Sequence, residues 1–394
     1  MARHYRAGTV IVTSADVRTS AEVTVVDGLI ADVSSVRPHE LEEHERRSVL
    51  APGWLNAHAH LDLGALAGRV PAGAAFTDWV GALLGERARL SPEALQDGAR
   101  ASAAELFSSG TRVVLDIDSL DIARDALRNT ERTEPRHLQA PNVRSFVEVL
   151  DAAPDFPDER TAGALERACA AIARGDALSP HGPHTAGDRL LEELGRLASS
   201  GFKGAGRRVV HWAESPEEVE WMLEGRGPFE PLLGPSPRTT GLERLARFGL
   251  LDGTLLIHGN LPQPTEIELL RSARDVAVVH CPGCHEFFGR APFPIDIYRE
   301  AGVAVLLGTD SGASNAALDM GREVRLARAK LGVSPVEAFD AATSAVARWL
   351  GEPTVTGTLE PGSRGDLVRY SDEEPDPAHV LERLTRGALE PCAL

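Results

Sequence analysis

The chain has 394 residues, 43% of them hydrophobic, which is enough for one large barrel and a small accessory unit. A net charge of −17 at pH 7, with no block of basic residues, argues against a nucleic acid partner. The apolar runs are far shorter than the roughly 20 residues that span a bilayer, so no membrane segment is predicted. The N-terminus lacks a signal-peptide pattern and four cysteines are too few for a disulfide scaffold, so we predict a cytoplasmic protein.

The first 50 residues have β character. Residues 8–36 alternate apolar and polar positions around an Asp27-Gly28 turn, which is the signature of a β-hairpin. The segment 355–394 is again turn-rich and β-like, and we expect it to join the N-terminal strands in one small β-sandwich. The predicted domains are therefore 1–50 and 355–394 for the sandwich and 51–354 for the unit between them.

Between these segments, short apolar runs alternate with amphipathic helical stretches, a rhythm that is typical of a parallel sheet. Helix starts are marked by a serine and proline at Ser215-Pro216 and at Ser334-Pro335, each with a glutamate soon after. The predicted fold is an α/β (β/α)8 TIM barrel, because eight runs could be its strands. These runs are 49–57, 111–117, 143–150, 177–180, 208–212, 254–258, 276–280 and 303–308.

Candidate metal ligands cluster at the carboxyl ends of these runs, the face of a barrel where active sites lie. His58 and His60 close the first strand, and residues two apart on a strand point to the same side. Both imidazoles can therefore bind one ion. A lone His-x-His pair is a weak signal, but its position after Pro52-Gly53 at a strand end strengthens it.

Three further strand ends carry reactive side chains. The fifth strand delivers His211 and then Glu214, which is either a general acid and base or a charge that stabilises the following helix start. The sixth strand ends in His258. Asp310 ends the eighth strand, where a buried charge needs a cation or a hydrogen-bonding partner. Three imidazoles and one carboxylate make a good site for a borderline metal, with room for water.

With these motifs the sequence resembles the amidohydrolase superfamily, in its cytosine-deaminase-like and nucleoside-deaminase branch. The resemblance covers nearly the whole chain. It implies that His58, His60, His211 and Asp310 bind the metal, that Glu214 and His258 handle protons and orient the attacking water, and that Asp310 can also shuttle a proton. The residues that carry it are Pro52-Gly53, Asn56-x-His58-x-His60, His181 in Ser179-Pro180-His181-Gly182-Pro183, His211-x-x-Glu214, His258, His280-Cys281-Pro282 and Gly308-Thr309-Asp310-Ser311.

The resemblance also bears on the number of metal ions. Many relatives hold two ions bridged by a carboxylated lysine on the fourth strand. Here the only lysines, Lys203 and Lys330, precede the fifth strand and lie beyond the eighth. We therefore expect one divalent ion, zinc, with Fe²⁺ or Mn²⁺ as alternatives. A glutamate or cysteine as bridging ligand remains an open alternative.

Cys281 and Cys284 form a Cys-x-x-Cys pair, which can bind zinc or exchange disulfides. The pair follows a barrel strand, and the sequence has no second cysteine pair. The family's His-Cys-Pro segment accounts for Cys281 without redox chemistry. We therefore expect both cysteines to be dispensable for metal binding.

Segments outside the metal site predict the substrate. Residues 60–73, 76–80, 285–289, 292–294 and 313–315 resemble the corresponding stretches of aminodeoxyfutalosine deaminases, which act in the futalosine route to menaquinone. This resemblance implies that the chain deaminates 6-amino-6-deoxyfutalosine. An aromatic wall would face the purine and a guanidinium would bind a carboxylate, unless the aromatic side chains only pack the loops. The expected substrate contacts are His181, Trp79, Phe287, Phe288 and Arg144, with Arg69 as the alternative cation.

Other functions stay open. Cys284 and Gly312 depart from that subfamily and leave room for adenosine, methylthioadenosine or S-adenosylhomocysteine as the substrate. A chlorohydrolase or a cyclic amidase would use the same ligands with a different pocket. A metal-binding protein without catalysis is a further alternative, although it would have no need for Glu214. We expect a small-molecule substrate as the partner, with a homodimer as the candidate assembly.

Overall fold

The computed structural model describes residues 2–133, 140–153, 157–200, 206–351, 357–373 and 375–394. The strands within them are β1 Ala2–Thr13, β2 Asp16–Val26, β3 Leu29–Ser35, β4 Ser48–Pro52, β5 Trp54–Ala59, β6 Thr111–Asp118, β7 Asn142–Val149, β8 Ala177–Pro180, β9 Arg208–Trp212, β10 Thr254–His258, β11 Ala277–His280, β12 Ala304–Leu307, β13 Leu367–Ser371 and β14 Glu390–Cys392.

Helices separate most of these strands. The α-helices are α1 Glu43–Arg46, α2 Phe76–Arg87, α3 Pro92–Ser108, α4 Ile122–Thr133, α5 Asp158–Arg174, α6 Asp188–Ser199, α7 Pro216–Glu224, α8 Glu230–Leu233, α9 Gly241–Arg247, α10 Glu266–Ser272, α11 Pro282–Phe287, α12 Ile295–Ala301, α13 Met320–Leu331, α14 Pro335–Ala341, α15 Ser344–Leu350 and α16 Val380–Thr385. Short 3-10 helices span Pro38–Glu40, Leu61–Leu66 and Pro377–His379.

Strands β5 to β12 form one eight-stranded parallel sheet in chain order. The sheet returns on itself where the segment after β12 meets β5. There the backbone N–H groups of Thr309 and Asp310 donate to the carbonyl oxygen of His58 at 3.1 and 3.0 Å. Ala59 also pairs with Asp310 in a parallel bridge. The predicted eight-stranded barrel is therefore confirmed.

The barrel is filled by side chains rather than open. Buried apolar residues from most of its strands pack into one cluster, among them Leu55, Leu115, Val209 and Ile257, and Trp349 of α15 packs against them. Because this interior is occupied, a ligand has room only at the mouth, where the loops that follow the strands lie.

The first predicted strand, 49–57, is wrong in one respect, because the chain breaks it at Gly53. The residues before the break form β4, and those after it form β5 in the barrel. The backbone N–H of Gly53 donates to Asp366, whereas that of Trp54 donates to Gly110. A side chain at Gly53 would collide with Arg112, since a Cβ there would lie 2.1 Å from its Cγ. The apolar run is continuous in sequence but serves two sheets.

Both chain ends contribute to the accessory unit, as the sequence predicted. Its described strands form a single six-stranded sheet in the order β14-β13-β4-β1-β2-β3. The predicted hairpin turn joins β2 and β3, with φ of +50° at Asp27 and +82° at Gly28. The sheet includes β4, which ends two residues beyond the predicted limit at residue 50, and the limit at 354 lies outside the described residues. The domain limits stay a prediction.

The predicted helix starts are present in the structure. Ser215 caps α7 by accepting from the backbone N–H of Glu218, and Ser334 caps α14 by accepting from that of Glu337. These caps fix where the helices begin relative to the barrel strands. In the part of the chain that the structure describes, no helix is both long and apolar enough to cross a membrane.

Candidate metal and catalytic site

Five side chains predicted to carry chemistry lie together at the carboxyl end of the barrel. His58 lies in β5 and His60 follows it, His211 lies in β9, His258 ends β10, and Asp310 follows β12. All are buried except His60, which is partly buried. Parallel strands of a barrel present their carboxyl ends on one face, so residues that are distant in sequence meet there.

The donor atoms are close enough to bind one ion. Nε2 of His60 lies 3.3 Å from Nε2 of His211. Oδ1 of Asp310 lies 3.4 Å from Nε2 of His58 and 3.9 Å from Nε2 of His60. Donor atoms of His58, His60 and His211 lie within 4.8 Å of one another, and so do those of His58, His258 and Asp310. The four predicted ligands therefore converge, and His258 adjoins them.

The protonation states of the cluster fit a divalent ion. Both ring nitrogens of His58 are buried; Nε2 lies 3.4 Å from Oδ1 of Asp310, and Nδ1 has no hydrogen-bond partner within the described residues. Burial lowers the pKa of His60 to about 4 and that of His211 well below its ordinary value, so both offer a lone pair at neutral pH. Burial alone would raise the pKa of Asp310, but the imidazoles of His58, His258 and His60 outweigh it and hold that pKa below its ordinary value. Neutral imidazoles and a carboxylate are ligands that zinc prefers.

Two of these ligands are oriented by hydrogen bonds on their far sides. Nδ1 of His211 lies 3.1 Å from the carbonyl oxygen of His181, so Nδ1 carries the proton and Nε2 is free to bind metal. Ser314 Oγ donates to Oδ2 of Asp310 at 2.8 Å, which leaves Oδ1 toward the histidines. Asp310 has a φ of +60°, an uncommon backbone conformation that turns its side chain into the mouth.

Asn56 connects the first and last barrel strands beside the cluster. It is fully buried. Its Oδ1 accepts from the backbone N–H groups of His58 and Thr309 at 3.2 and 3.1 Å, and its Nδ2 donates to Thr309 Oγ1 at 2.7 Å. Because these bonds join the segments that carry His58 and Asp310, they hold two of the ligands in register.

Glu214 lies at the rim of the cluster with a buried side chain. Its Oε1 lies 2.9 Å from Nη2 of Arg290 and 3.4 Å from Nε2 of His258. Burial raises the pKa of Glu214 to about 7; the charges of Asp310 and Glu218 add to this effect and Arg290 opposes it. A carboxyl group with a pKa near neutrality can both accept and release a proton at physiological pH.

The backbone around Glu214 is held by a second buried carboxylate. Glu218 accepts from the N–H groups of Ala213 and Glu214 at 2.9 and 2.8 Å, and it lies 3.4 Å from Nδ1 of His184. Ala213 has a φ of +50°, so the chain turns sharply there. Since Ser215 already caps the helix, the Glu214 side chain is not needed at the helix start and turns toward Arg290 instead.

The amidohydrolase family pattern matches residues 49–385 of the chain. The chain belongs to the amidohydrolase family. A 5-methylthioadenosine/S-adenosylhomocysteine deaminase of Natronomonas pharaonis is 31% identical over 347 residues, which are 84% of this chain and 76% of that protein. An aminodeoxyfutalosine deaminase of Deinococcus radiodurans is 31% identical over 318 residues, 74% of this chain and 70% of that one. A solved adenosine deaminase of Xanthomonas campestris with bound zinc covers 98% of this chain and 92% of its own, with a TM-score of 0.77 and 24% identity.

As an amidohydrolase, the chain is a hydrolase that acts on carbon–nitrogen bonds.

Three of its predicted substrate contacts form one aromatic group. The ring centroid of Phe288 lies 5.2 Å from those of both Trp79 and Phe287, and Phe76 stacks on Trp79 at 6.0 Å. Nε1 of Trp79 is buried and has no hydrogen-bond partner in the described part of the chain. The guanidinium of Arg290 lies 4.5 Å above the Phe288 ring, which joins this group to Glu214.

His181 adjoins the predicted metal ligands of this amidohydrolase. Its ring centroid lies 4.8 Å from that of His211, and its Nδ1 lies 2.7 Å from Thr185 Oγ1. Burial lowers the pKa of His181 to about 3, so the ring is neutral. Glu148, at the end of β7, lies 4.0 Å from Nε2 of His181, and burial raises the pKa of Glu148 to about 8. A neutral imidazole and a neutral carboxylic acid thus line one wall of the mouth.

The structure does not bring Arg144 to the mouth. Arg144 is the third residue of β7 and pairs with Leu115, in the middle of β6. It precedes Glu148 by four residues, which is roughly 13 Å along a strand. Arg144 thus occupies the amino half of its strand, and its contact with substrate stays a prediction. Arg69, the alternative cation, is exposed.

Sequence reasoning missed Arg290, Glu148 and Glu218. Glu148 carries the same signal as Asp310, a carboxylate at the end of an apolar strand, and could have been found by that signal. The sequence shows that Glu218 lies at a helix start, but not that it accepts hydrogen bonds from the preceding backbone. Arg290 follows Gly289 in a loop, and nothing in its local sequence marks it as a partner of Glu214.

The remaining predictions concern cysteines and lysines. Cys281 and Cys284 are buried free thiols, and burial raises the pKa of each well above its ordinary value, so neither is an anion at neutral pH. In the described ranges, neither joins a group of metal-binding donor atoms. Lys330 is exposed on α13, 3.7 Å from Glu286, and Lys203 lies outside the described residues. The single metal ion stays a prediction.

Proposed function

We propose that this amidohydrolase is a metal-dependent deaminase of an adenosine-like 6-aminopurine compound, which it converts to the 6-oxopurine with release of ammonia. The observation that carries the proposal is the convergence of His58, His60, His211 and Asp310 with the buried, near-neutral carboxyl of Glu214. A metal site with only a structural role has no use for such a proton carrier. Names of the Natronomonas and Deinococcus relatives support aminopurine substrates.

The residues of the mouth divide the chemistry between them. A bound divalent ion supplies a water whose pKa is lowered from about 16 toward ~7. With that ion bound, Glu214 would take up one proton and deliver it to the departing amine, which would leave as ammonia when the carbon–nitrogen bond breaks. The incoming oxygen would bond to the ring carbon, and its remaining proton would move to the ring nitrogen to give the 6-oxopurine. Nε2 of His258 faces the same space as Glu214 and orients the attacking oxygen. Burial of these groups excludes bulk water, which strengthens each interaction.

We propose one zinc ion per chain, with Fe²⁺ or Mn²⁺ as substitutes. Three imidazole nitrogens and one carboxylate oxygen match zinc's preferences, and the Xanthomonas protein contains zinc. Lys330, the lysine that the structure describes, is exposed and cannot bridge a second ion.

For the substrate we propose 6-amino-6-deoxyfutalosine, as part of menaquinone biosynthesis. The loops with Trp79, Phe287 and Phe288 and the Deinococcus relative support this choice. Methylthioadenosine or S-adenosylhomocysteine is the second candidate, because the Natronomonas relative has the same 31% identity over a longer alignment. A small-molecule partner, a cytoplasmic location and a homodimer stay predictions from the sequence.

The test is ammonia release by the zinc-loaded protein from aminodeoxyfutalosine, methylthioadenosine, S-adenosylhomocysteine and adenosine. We expect aminodeoxyfutalosine to have the highest kcat/KM. If another compound exceeds it roughly tenfold, or ~1.4 kcal/mol in transition-state stabilisation, the specific substrate is wrong while the deaminase proposal stands. Release from none of them would contradict the proposed reaction.

Glu214→Gln is the matched variant for this test, since it keeps the side chain's size but cannot accept a proton. We expect it to retain one zinc per chain and to lose about 10²- to 10⁴-fold in kcat, the usual contribution of a general acid and base. Elemental analysis and turnover are measured on the same preparation. Full activity in this variant would show that Glu214 is not the proton carrier.

A further inference from the structure

Arg290 lies beside Glu214 although it belongs to a different loop. It is in the segment between α11 and α12, and its side chain is 10% exposed. Nη2 of Arg290 lies 2.9 Å from Oε1 of Glu214 in hydrogen-bonding geometry. A buried guanidinium so close to a buried carboxylate is a strong pair, because water screens it little.

The loop is built to keep Arg290 in this place. The guanidinium carbon lies 4.5 Å from the ring centroid of Phe288 and 5.8 Å from that of Phe76, so both aromatic rings attract the cation. The backbone N–H of Arg290 donates to the carbonyl of His285 at 3.2 Å.

A second connection ties the same loop to Glu214. Nε2 of His285 donates to the carbonyl oxygen of Ala291 at 2.6 Å, and the other side of its ring contacts Oδ1 of Asn260 at 3.2 Å. Nδ2 of Asn260 donates to the carbonyl oxygen of Glu214 at 3.0 Å. Asn260 therefore contacts both the backbone of Glu214 and the loop that carries Arg290.

The other groups that face Glu214 do not favour its anion. Asp310 follows β12 and Glu218 lies on α7, and both raise the pKa of Glu214 through their negative charge. His258, at the end of β10, is a neutral imidazole because burial lowers its pKa. Near α11, Cys281 and Cys284 are neutral thiols whose pKa burial raises. Within the described residues, Arg290 is thus the cation that offsets the burial of this carboxylate.

We propose that Arg290 is a positioning residue that keeps Glu214 ionised and fixes the orientation of its carboxylate. Oε1 is occupied by Arg290 at 2.9 Å and His258 at 3.4 Å, which leaves Oε2 as the oxygen that exchanges the proton. Only the catalytic role of this proton exchange rests on the proposed function. The ion pair and its effect on Glu214 can be measured without any substrate.

The kinetic test compares the zinc-loaded wild type with Arg290→Met and Arg290→Lys. We expect Arg290→Met to keep its zinc and to move the acid limb of the kcat/KM profile upward by about 1 to 2 pH units, the usual effect of losing a cation at this distance. The loss of kcat/KM in Arg290→Met is then at least about tenfold near pH 6, and it becomes smaller above pH 8. Arg290→Lys keeps the positive charge, so we expect the acid limb of its kcat/KM profile to stay near that of the wild type. Arg271→Met, at an exposed ion pair with Glu268, is the matched control and leaves the profile unchanged.

The second measurement is an infrared titration of the same zinc-loaded proteins. The carbonyl band of protonated Glu214 is identified by its loss in Glu214→Gln, and we expect its titration to shift upward in Arg290→Met but not in Arg290→Lys. If Arg290→Met does not fold, Arg290→Gln provides the same neutral comparison. A titration that stays at the wild-type pH, or a kinetic loss that is equal at every pH, would overturn the proposal. If the wild type deaminates none of the nucleosides, the proposed function fails while the infrared result still decides the role of Arg290.

Discussion

Two sides of the barrel mouth bury carboxyl groups, but the pKa is lowered on one side and raised on the other. On the metal side, Asp310 is surrounded by imidazoles, which hold its pKa below the ordinary value although burial opposes this. On the acid side, carboxyl groups face one another and their pKa values are raised. The acid side consists of Asp62, Asp116, Asp118 and Glu148. Burial is similar on both sides, so the neighbours decide which carboxyl is an anion.

The acid side shows how retained protons and hydrogen bonds offset the cost of burying carboxyl groups. Burial raises the pKa of Asp62 to about 6 and that of Glu148 to about 8. Asp116 accepts from the backbone N–H of Leu61 at 2.8 Å, and Ser119 donates to Asp62 at 2.6 Å. In the described residues the other oxygens of Asp62 and Asp116 are buried without a partner. Retained protons keep this side from carrying several buried negative charges.

The largest effect is expected when the negative charge of Asp310 is removed from the metal side. Asp310→Asn takes away an anionic ligand and leaves three imidazoles, so we expect loss of bound zinc and a fall in kcat of roughly 10³-fold or more. Zinc content by elemental analysis and ammonia release measure the two effects. The exposed variant Asp296→Asn on α12 serves as the control. Retention of tightly bound zinc by Asp310→Asn would contradict the ligand assignment.

Metal removal should act on stability through the same side. Zinc binds only the folded cluster, so at a free concentration a thousandfold above its Kd it adds about 4 kcal/mol to the free energy of unfolding. Chelation should therefore lower Tm in the wild type but have little effect in Asp310→Asn. Calorimetry with a zinc titration also gives the stoichiometry, which we expect to be one ion per chain. A requirement for two equivalents would disprove the single-ion prediction.

The acid side can be examined by changing Glu148 to glutamine. The folded protein keeps the Glu148 proton up to a pH of about 8, whereas an unfolded glutamate releases it near 4.5. The folded state binds more protons in that window, so the free energy of unfolding falls as pH rises from 4.5 to about 8. Gln cannot titrate. In Glu148→Gln we therefore expect the free energy of unfolding to fall less steeply with rising pH, by up to about 1.4 kcal/mol per pH unit.

The slope is measured by urea unfolding of the zinc-loaded protein at several pH values. Glu268→Gln, on the exposed surface of α10, is the matched control. An unchanged slope in Glu148→Gln would show that Glu148 is already ionised in the folded protein and that the contrast between the two sides is smaller than described.

The smallest effect is expected from the cysteine pair. Replacement of Cys281 and Cys284 by serine exchanges two buried thiols for hydroxyl groups, which should cost about 1 to 3 kcal/mol of stability. Zinc content should not change, because the three imidazoles and Asp310 complete the site. Loss of zinc in the double variant at a temperature where the protein remains folded would contradict this assignment.

Much of the fold could be predicted because its signals are local. Eight apolar runs and the helix starts at Ser215 and Ser334 were visible in sequence, and all but the first run lie wholly in the barrel part of the chain. The first run was the exception. It passes from the accessory sheet to the barrel at Gly53, and hydrophobicity alone does not report which sheet a residue joins.

The same limit applies to the site. Histidines and Asp310 were predictable because they follow apolar strands, and the carboxyl ends of parallel strands in a barrel meet on one face. The sequence does not show how high Arg144 lies along the barrel, whereas the structure places it in the amino half of β7, beside Leu115 of β6.

The amino-acid sequence by itself determined the barrel and the strand ends at which His58, His60, His211 and Asp310 converge. Only the tertiary structure decided which carboxyl is an anion and which keeps its proton, because Asp310 and Glu148 show the same local pattern and differ only in their neighbours. It also decided that Arg290 meets Glu214, 76 positions earlier in the chain. Electrostatic energies depend on distances between side chains, and those distances are set by how the loops pack on the barrel.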